Sequence, residues 1–259
     1  MPSSKDVRQF ATLVDIIAKL RAPDGCPWDK KQTHISLREN LLEECYEVLE
    51  ALDKGDPAEL CDELGDLLMQ VVLHVQIATE AGEFALGDVL ASINTKLIRR
   101  HPHIFGSRKV KDIEEVRRNW EILKQDEREA GTSMLSSVPR QMPALAYSHA
   151  VQRRVAQVGF DWKDVGDIID KLVEEVGELK QVESEEQRAQ EFGDLLFTLV
   201  NVARRIGVDS EAALRGANQR FYQRFSYMED VCRQRGLNFA ELSFDEQNAL
   251  WEEAKKKVT

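Results

Sequence analysis

Cysteine is scarce and unpatterned in this 259-residue chain: Cys26, Cys45, Cys61 and Cys232 form no CxxC pair and no Cys/His spacing of the metal-binding kind. A disulfide scaffold or zinc ribbon is therefore excluded, and the thiols read as free ones in a reducing compartment. Positive charge is also in short supply. Lys plus Arg total 35 against 46 Asp plus Glu, a formal net charge of −11. That balance argues against a nucleic-acid partner, whose footprint is a basic stripe, but leaves room for a small phosphorylated ligand held locally through metal ions and a few cations. Long apolar runs are missing too. The longest, Leu67 to Ala78, is broken by Gln70 and His74 and is too short to cross a bilayer. Asp15 and Lys19 interrupt the apolar residues of the N-terminal stretch, which lacks a signal-peptide core. The expectation is a soluble, cytoplasmic protein with no membrane partner.

Strict alternation with β-branched residues is absent, so no sheet is expected. Phe10, Leu13, Val14, Ile17 and Leu20 recur instead at three- and four-residue steps. Similar stripes predict helices over 7–21, 37–53, 59–81, 88–100 and 112–129, then over 145–156, 165–182, 187–206, 210–233 and 244–257. The fold class is all-α.

The chain is written twice. Leu42-Glu43-Glu44-Cys45-Tyr46-Glu47 is echoed by Val173-Glu174-Glu175-Val176-Gly177-Glu178, at an offset of 131. Glu63-Leu64-Gly65-Asp66 returns as Glu191-Phe192-Gly193-Asp194, at an offset of 128. Gly25-Cys26-Pro27-Trp28 returns as Gly159-Phe160-Asp161-Trp162, Asn94, Lys96 and Arg100 as Asn218, Arg220 and Arg224, and Trp120 as Trp251. Five echoes in constant order point to two related helical-bundle halves, 1–130 and 144–259. The Gly/Ser/Pro-rich stretch 131–143 reads as their linker.

Residues three or four apart share a helix face. Glu44 with Glu47 and Glu63 with Asp66 make one acidic pair on each of two helices, and Glu175 with Glu178 and Glu191 with Asp194 repeat the design. One E-x-x-E alone is ordinarily an exposed face. Two such pairs in each half, flanked by Leu41, Leu67, Leu68, Leu172 and Leu195, place carboxylates where their repulsion is costly unless a cation sits among them. Mg²⁺ suits such oxygen ligands and commonly shares its coordination with phosphates, with Mn²⁺ as an alternative ion. Di-iron bundles want E-x-x-H, which is missing, and an EF-hand wants a D-x-D-x-D-G loop, also missing. No P-loop, G-x-G-x-x-G or Ser/His/Asp order stands out.

The doubled E-E-x-x-E and E-x-x-D elements, together with Asp24 to Asp29, Arg99 to Phe105 and Val158 to Trp162, resemble the MazG family of nucleoside triphosphate pyrophosphohydrolases. The resemblance covers essentially the whole chain. It implies a tandem helical fold, a homodimer joined by helix packing, and Mg²⁺-dependent release of pyrophosphate from a broad range of nucleoside triphosphates. Carried to matching positions, it makes Glu175, Glu178, Glu191 and Asp194 metal ligands, and Lys171, Arg220, Arg224 and Trp251 the nucleotide-binding set. Arg220 stands where relatives can have Lys, and the two are not equivalent toward phosphate. Glu174, beside the cluster, would orient or deprotonate the attacking water. Glu44, Glu47, Glu63 and Asp66, with Lys96 and Arg100, form a second candidate site in the first half, although the family places the principal one in the second. His74, in an apolar helix, reads as a satisfied core histidine. Two rivals remain: a catalytically silent helical adaptor that senses nucleotide, and a narrow house-cleaning enzyme for one damaged nucleotide.

Overall fold

The computed structural model describes residues 6–113, 115, 116, 119, 120, 123 and 131–258. Every regular element among them is helical, and none of these helices is long and apolar enough to cross a membrane. The chain divides into two compact units, Met1–Glu127 and Arg128–Thr259.

The first unit contains α1 (Phe10–Arg21), α2 (Arg38–Lys54), α3 (Pro57–Ala81), α4 (Leu86–Arg100) and the single turn α5 (Pro102–Phe105). The second contains α6 (Ala144–Ala156), α7 (Val165–Gln181), α8 (Glu185–Arg205), α9 (Ser210–Arg235) and α10 (Phe244–Lys257). In each unit the second and third helices, α2 with α3 and α7 with α8, make the most extensive pairing. The hairpin between α2 and α3 follows from local chemistry. Gly55 takes φ 68° and closes α2 with its N–H on the Ala51 carbonyl at 3.0 Å. Asp56 then caps α3 by accepting from the Ala58 and Glu59 amides, and Pro57 occupies the first helical position. Ser184 does the same for α8 through the Gln187 amide. Two residues of connection in one unit, three in the other, force each pair to run antiparallel.

Cores sit beside these hairpins. Ile17 of α1 meets Val72 and Leu73 of α3 and Leu37, with Leu13, Val14, Leu20, Met69 and Ile77 around them. In the second unit Met228, Val231 and Cys232 of α9 pack on Leu250 and Ala254 of α10, bordered by Phe225, Phe239 and Trp251.

Helix ends differ from the sequence expectation in ways that caps explain. The first helix starts at Phe10 rather than residue 7, because Gln9 is extended (φ −107°, ψ 135°) and Asp6–Arg8 forms a separate 3₁₀ turn. The helix expected over 88–100 starts at Leu86, since the Asp88 carboxylate accepts the Ala85 N–H at 2.9 Å. The helix expected over 112–129 lies largely outside the described residues. Residues 131–143 form turns fastened to the second unit: buried Arg154 of α6 donates to the Met134 carbonyl at 3.2 Å and to Ser137 Oγ at 2.6 Å, and Val138 is buried.

The repeated Gly…Trp motifs are loop anchors. In the first unit Gly25 is required by close approach, because a Cβ there would lie 2.3 Å from the Leu20 carbonyl oxygen. Arg21 reaches from α1 to Glu80 of α3 at 2.8 Å and to the Gln32 carbonyl at 3.2 Å, tying that loop down. In the second unit Asp161 accepts from Arg204 and Arg205 of α8 and from the Trp162 amide at 2.9 Å. Arg204 above all holds the Asp161 carboxyl below its ordinary value of 3.8. A depressed carboxyl stabilises the fold above its unfolded pKa and loses that contribution as pH falls through the folded one. Asp161→Asn is therefore expected to lower stability by about 1–2 kcal/mol at pH 7. In urea melts at a series of pH values, its gap to the wild type narrows below pH 3.8; a gap constant down to pH 2 contradicts the assignment.

Candidate active site

The α2–α3 and α7–α8 hairpins each turn carboxylates from both helices into one seam. In the second unit, single oxygens of Glu175, Glu178 and Glu191 all lie within 4.8 Å of one another. Glu175 is buried, at 5% exposure, while Glu191 is half-buried and Glu178 exposed. In the first unit the acids that converge are Glu44, Glu63 and Asp66, so Asp66 enters where its counterpart Asp194 does not, and Glu47 stays out where its counterpart Glu178 enters. The four-residue sets expected from sequence are thus not equally tight. Asp194 stands outside the closest trio but raises the Glu191 pKa by its charge, and Glu47 is coupled in the same way to Glu63 and Glu44.

Crowding shows in the protonation of these groups. Partial loss of hydration raises the Glu191 pKa, followed by the charges of Glu178, Asp194 and Glu175. Glu63 is raised by lost hydration, then by Asp66 and Glu44, and Glu47 by lost hydration, then by Glu63. The seams differ in their counter-charge. Lys171 places its ammonium 2.9 Å from Glu174 and 3.0 Å from Glu175, which raises its own pKa, first through Glu174. The exposed Glu174 is therefore paired to the lysine rather than free in solvent. Among the described residues no ion pair reaches Glu44, Glu47, Glu63 or Asp66.

The remaining expected residues lie on the fourth and last helices of their units. Arg224, half-buried, stacks its guanidinium 5.9 Å from the Trp251 ring centre, and its Nε is buried without a hydrogen-bond partner. Arg220 is exposed on the preceding turn of α9. Trp251 packs at the edge of the α9–α10 core and also meets Phe221 at 5.4 Å. No hydrogen bond or ion pair among the described residues joins either arginine to the α7–α8 carboxylates. The first unit repeats the cation–aromatic pair, with Arg100 5.3 Å from the Trp120 ring centre. Lys96 is half-buried on the same helix as Arg100.

Two features escaped the sequence reading. Gln70 is 3% exposed and donates through Nε2 to Glu44 at 3.3 Å, while its Oε1 is buried with no partner. Its position four residues after Asp66 was the available signal. His74 is half-buried and not fully satisfied: Nδ1 is 2.7 Å from His34 Nδ1 and Nε2 has no partner. Forty residues of separation hide that pairing from any local pattern.

Hard oxygen donors gathered at this spacing fit a divalent cation, whose charge would relieve the raised carboxyl pKa values. An all-α protein with two acidic helix-hairpin seams suited to divalent cations is the class that fold and geometry define. The comparisons narrow the class. The model of the MazG nucleotide pyrophosphohydrolase domain matches residues 32–105. A relative from Thermotoga maritima named nucleoside triphosphate pyrophosphohydrolase/pyrophosphatase MazG is 44% identical over 247 residues, spanning 95% of each chain. The Escherichia coli K12 nucleoside triphosphate pyrophosphohydrolase is 40% identical over 97% of this chain and 98% of its own. Bacillus subtilis YabN, named as uncharacterised, is 46% identical over 96% of this chain and 52% of its own length. This chain belongs to the MazG family.

Because ionising Glu191 is disfavoured in the fold, its contribution is fully present below the ordinary value of 4.5 and is lost as pH rises through the raised one. Glu191→Gln without metal is therefore expected to melt above the wild type at pH 7, with the advantage closing by pH 4.5. Adding Mg²⁺ should raise the wild-type melting temperature and leave the variant's largely unmoved. A metal-free wild type that melts higher at pH 7 refutes the repulsion.

Proposed function

We propose that this chain hydrolyses nucleoside triphosphates to the monophosphate and pyrophosphate, with its principal site on the α7–α8 hairpin of a C-terminal domain spanning 144–259. The supporting observation is the convergence of Glu175, Glu178 and Glu191 beside the tethered ammonium of Lys171. Family membership and the names of relatives matched end to end give the reaction class. An N-terminal domain over 1–130 and the connecting stretch 131–143 complete the organisation proposed.

Glu175, Glu178, Glu191 and Asp194 would hold Mg²⁺, or Mn²⁺ in its place. When bound, the cation neutralises phosphate charge and lowers the pKa of a coordinated water. Everything else falls to the chain. Lys171, 3.0 Å from Glu175, would offer its ammonium to the phosphate oxygens. Glu174, the exposed carboxylate next to the seam and 2.9 Å from that lysine, would take the proton of the attacking water. Arg220 and Arg224, four apart on α9, offer a guanidinium pair for the departing pyrophosphate. Trp251 fixes Arg224 through its ring and offers its partly exposed face to the base. The groups doing chemistry all address the triphosphate, which every nucleotide shares. Broad specificity over NTPs and dNTPs follows from that, as does a role in nucleotide-pool control.

A homodimer is the second part of the proposal. On α3, Leu64, Leu68 and Val71 form an exposed stripe, and on α8 Phe192, Leu196 and Leu199 repeat it at the same spacing. Leu42, Tyr46 and Leu49 extend the first stripe onto α2. Apolar stripes of this kind ask for a partner, and a second copy offers the same surface. Light scattering should give twice the 29.6 kDa chain mass, and Leu68→Glu with Leu196→Glu should shift it toward one; a monomeric wild type ends the dimer proposal.

For catalysis, Glu178→Ala and Asp194→Ala should each lower Mg²⁺-dependent turnover by about 10³-fold with helicity unchanged by circular dichroism. Chromatography of the wild-type products over an NTP panel should show monophosphate and pyrophosphate. Diphosphate and inorganic phosphate, or wild-type turnover by either folded variant, would overturn the assignment.

A further inference from the structure

A histidine pair in the first unit takes no part in the chemistry of the acidic seams. His74 sits on α3, and its Nδ1 lies 2.7 Å from Nδ1 of His34, in the segment that leads into α2. The two rings are inclined by 1°, with centres 5.1 Å apart. That separation exceeds the nitrogen gap by the two ring radii, so the rings lie edge to edge in one plane with each Nδ1 aimed at the other. Only one proton fits between nitrogens this close, so one ring donates and the other accepts. The surroundings decide which. His34 Nε2 faces the Glu83 carboxylate at 3.9 Å, and His74 Nε2 is buried with no partner. Protons on His34 Nε2 and His74 Nδ1 suit the carboxylate and leave a bare nitrogen at the buried end. The opposite tautomers would set a lone pair against Glu83 and bury an unpartnered N–H.

The segment carrying His34 is pinned on either side as well. Arg21 holds the Gln32 carbonyl at 3.2 Å, and Leu37, at 1% exposure, is packed with Ile17, Val72 and Leu73. The start of α2 leans on these pins, because its N-cap residue Leu37 supplies no side-chain bond. We propose that His34 and His74 form a proton-operated latch, which holds the start of α2 to α3 while one proton is shared between the two Nδ1 atoms and lets go when the pair takes up another. On His74 Nε2 the added proton finds no acceptor, and on the second Nδ1 it sets two N–H groups head to head. Turning His34 into solvent removes both conflicts, and its side chain is already 41% exposed. Burial, then the charge of His34, holds the His74 pKa below its ordinary 6.5. Of the charged groups around the pair, Arg21 of α1 and Glu80 of α3 are bonded to each other at 2.8 Å, and Glu83 favours a proton on His34. A histidine kept neutral by the fold leaves stability intact above 6.5 and withdraws it as pH falls toward the lower folded value. The second unit lacks the device: the offset of 128 that sets Glu63 on Glu191 sets His74 on Val202.

The test uses the full chain without nucleotide and reads no turnover, so it stands or falls apart from the hydrolase proposal. Ring ¹⁵N shifts at about pH 8 should show His74 protonated at Nδ1 and bare at Nε2. Amide hydrogen exchange at the start of α2, corrected for its intrinsic pH dependence, should quicken about tenfold from about pH 8 to about pH 5, while α10 keeps its rate. His34→Ala and His74→Val should each exchange fast at both pH values, and joining them should add nothing. Protonation of the seam acids acts in the opposite direction and is common to wild type and variants. His74→Val carries the residue that the second unit uses at that position; should the variants fail to fold, the wild-type shifts and exchange profile decide alone. Equal exchange at the two pH values, two rings that titrate independently, or variants that keep the wild-type profile overturn the proposal.

Discussion

Repulsion between carboxylates pressed together across a helix hairpin is the constraint to which the rest of the molecule answers. Left to themselves, Glu175, Glu178 and Glu191 would drive α7 from α8, as Glu44, Glu63 and Asp66 would drive α2 from α3. The apolar contacts of Ile17, Val72 and Leu73 on one side, and the short capped connections at Gly55-Asp56 and Ser184, hold the helices against that force. A protein gains nothing in stability from such an arrangement, and strain kept at one place by the surrounding fold marks a site of use. The raised pKa values of Glu47, Glu63 and Glu191 express the same conflict as a reluctance to give up protons. For Glu191 lost hydration comes first, and the neighbours that add to it are Glu178, Asp194 and Glu175, all within the α7–α8 seam.

Each unit answers the conflict with different residues. In the second, Lys171 sits on the same helix face as Glu175, three and four residues from its two partners, so one side chain compensates a buried carboxylate at little entropic cost. In the first, asparagine takes that place, and the only buried polar group turned to the carboxylates is Gln70 among the described residues. The fourth helices repeat a different device. Arg100 on Trp120 and Arg224 on Trp251 keep a guanidinium beside an aromatic ring, with its charge undiminished and its freedom reduced. Duplication thus preserved the scaffold and the acids while the groups around them diverged.

Much of this was legible in the order of residues. Three- and four-residue apolar steps located the helices, and the E-E-x-x-E and E-x-x-D spacings located the acids, because both depend only on the period of an α-helix. Helix ends were less legible where a cap decided them: the extended Gln9 delays α1, and the Asp88 carboxylate advances α4. Composition marked 131–143 as a linker, but nothing local reveals that Arg154 will reach back to Met134 and Ser137.

The sequence by itself determined that the chain is helical, that it is doubled, and that each half sets two pairs of acids on helix faces, since periodicity and repetition are properties of residue order alone. Only the tertiary structure decided which acids converge. Glu47 and Asp194 are left at the margin of trios that Glu44 and Glu175 enter, Gln70 is turned into one seam, and His34 meets His74 across forty residues. Those outcomes depend on how one helix is rotated and shifted against the next, and that is settled by side-chain packing between segments distant in the chain.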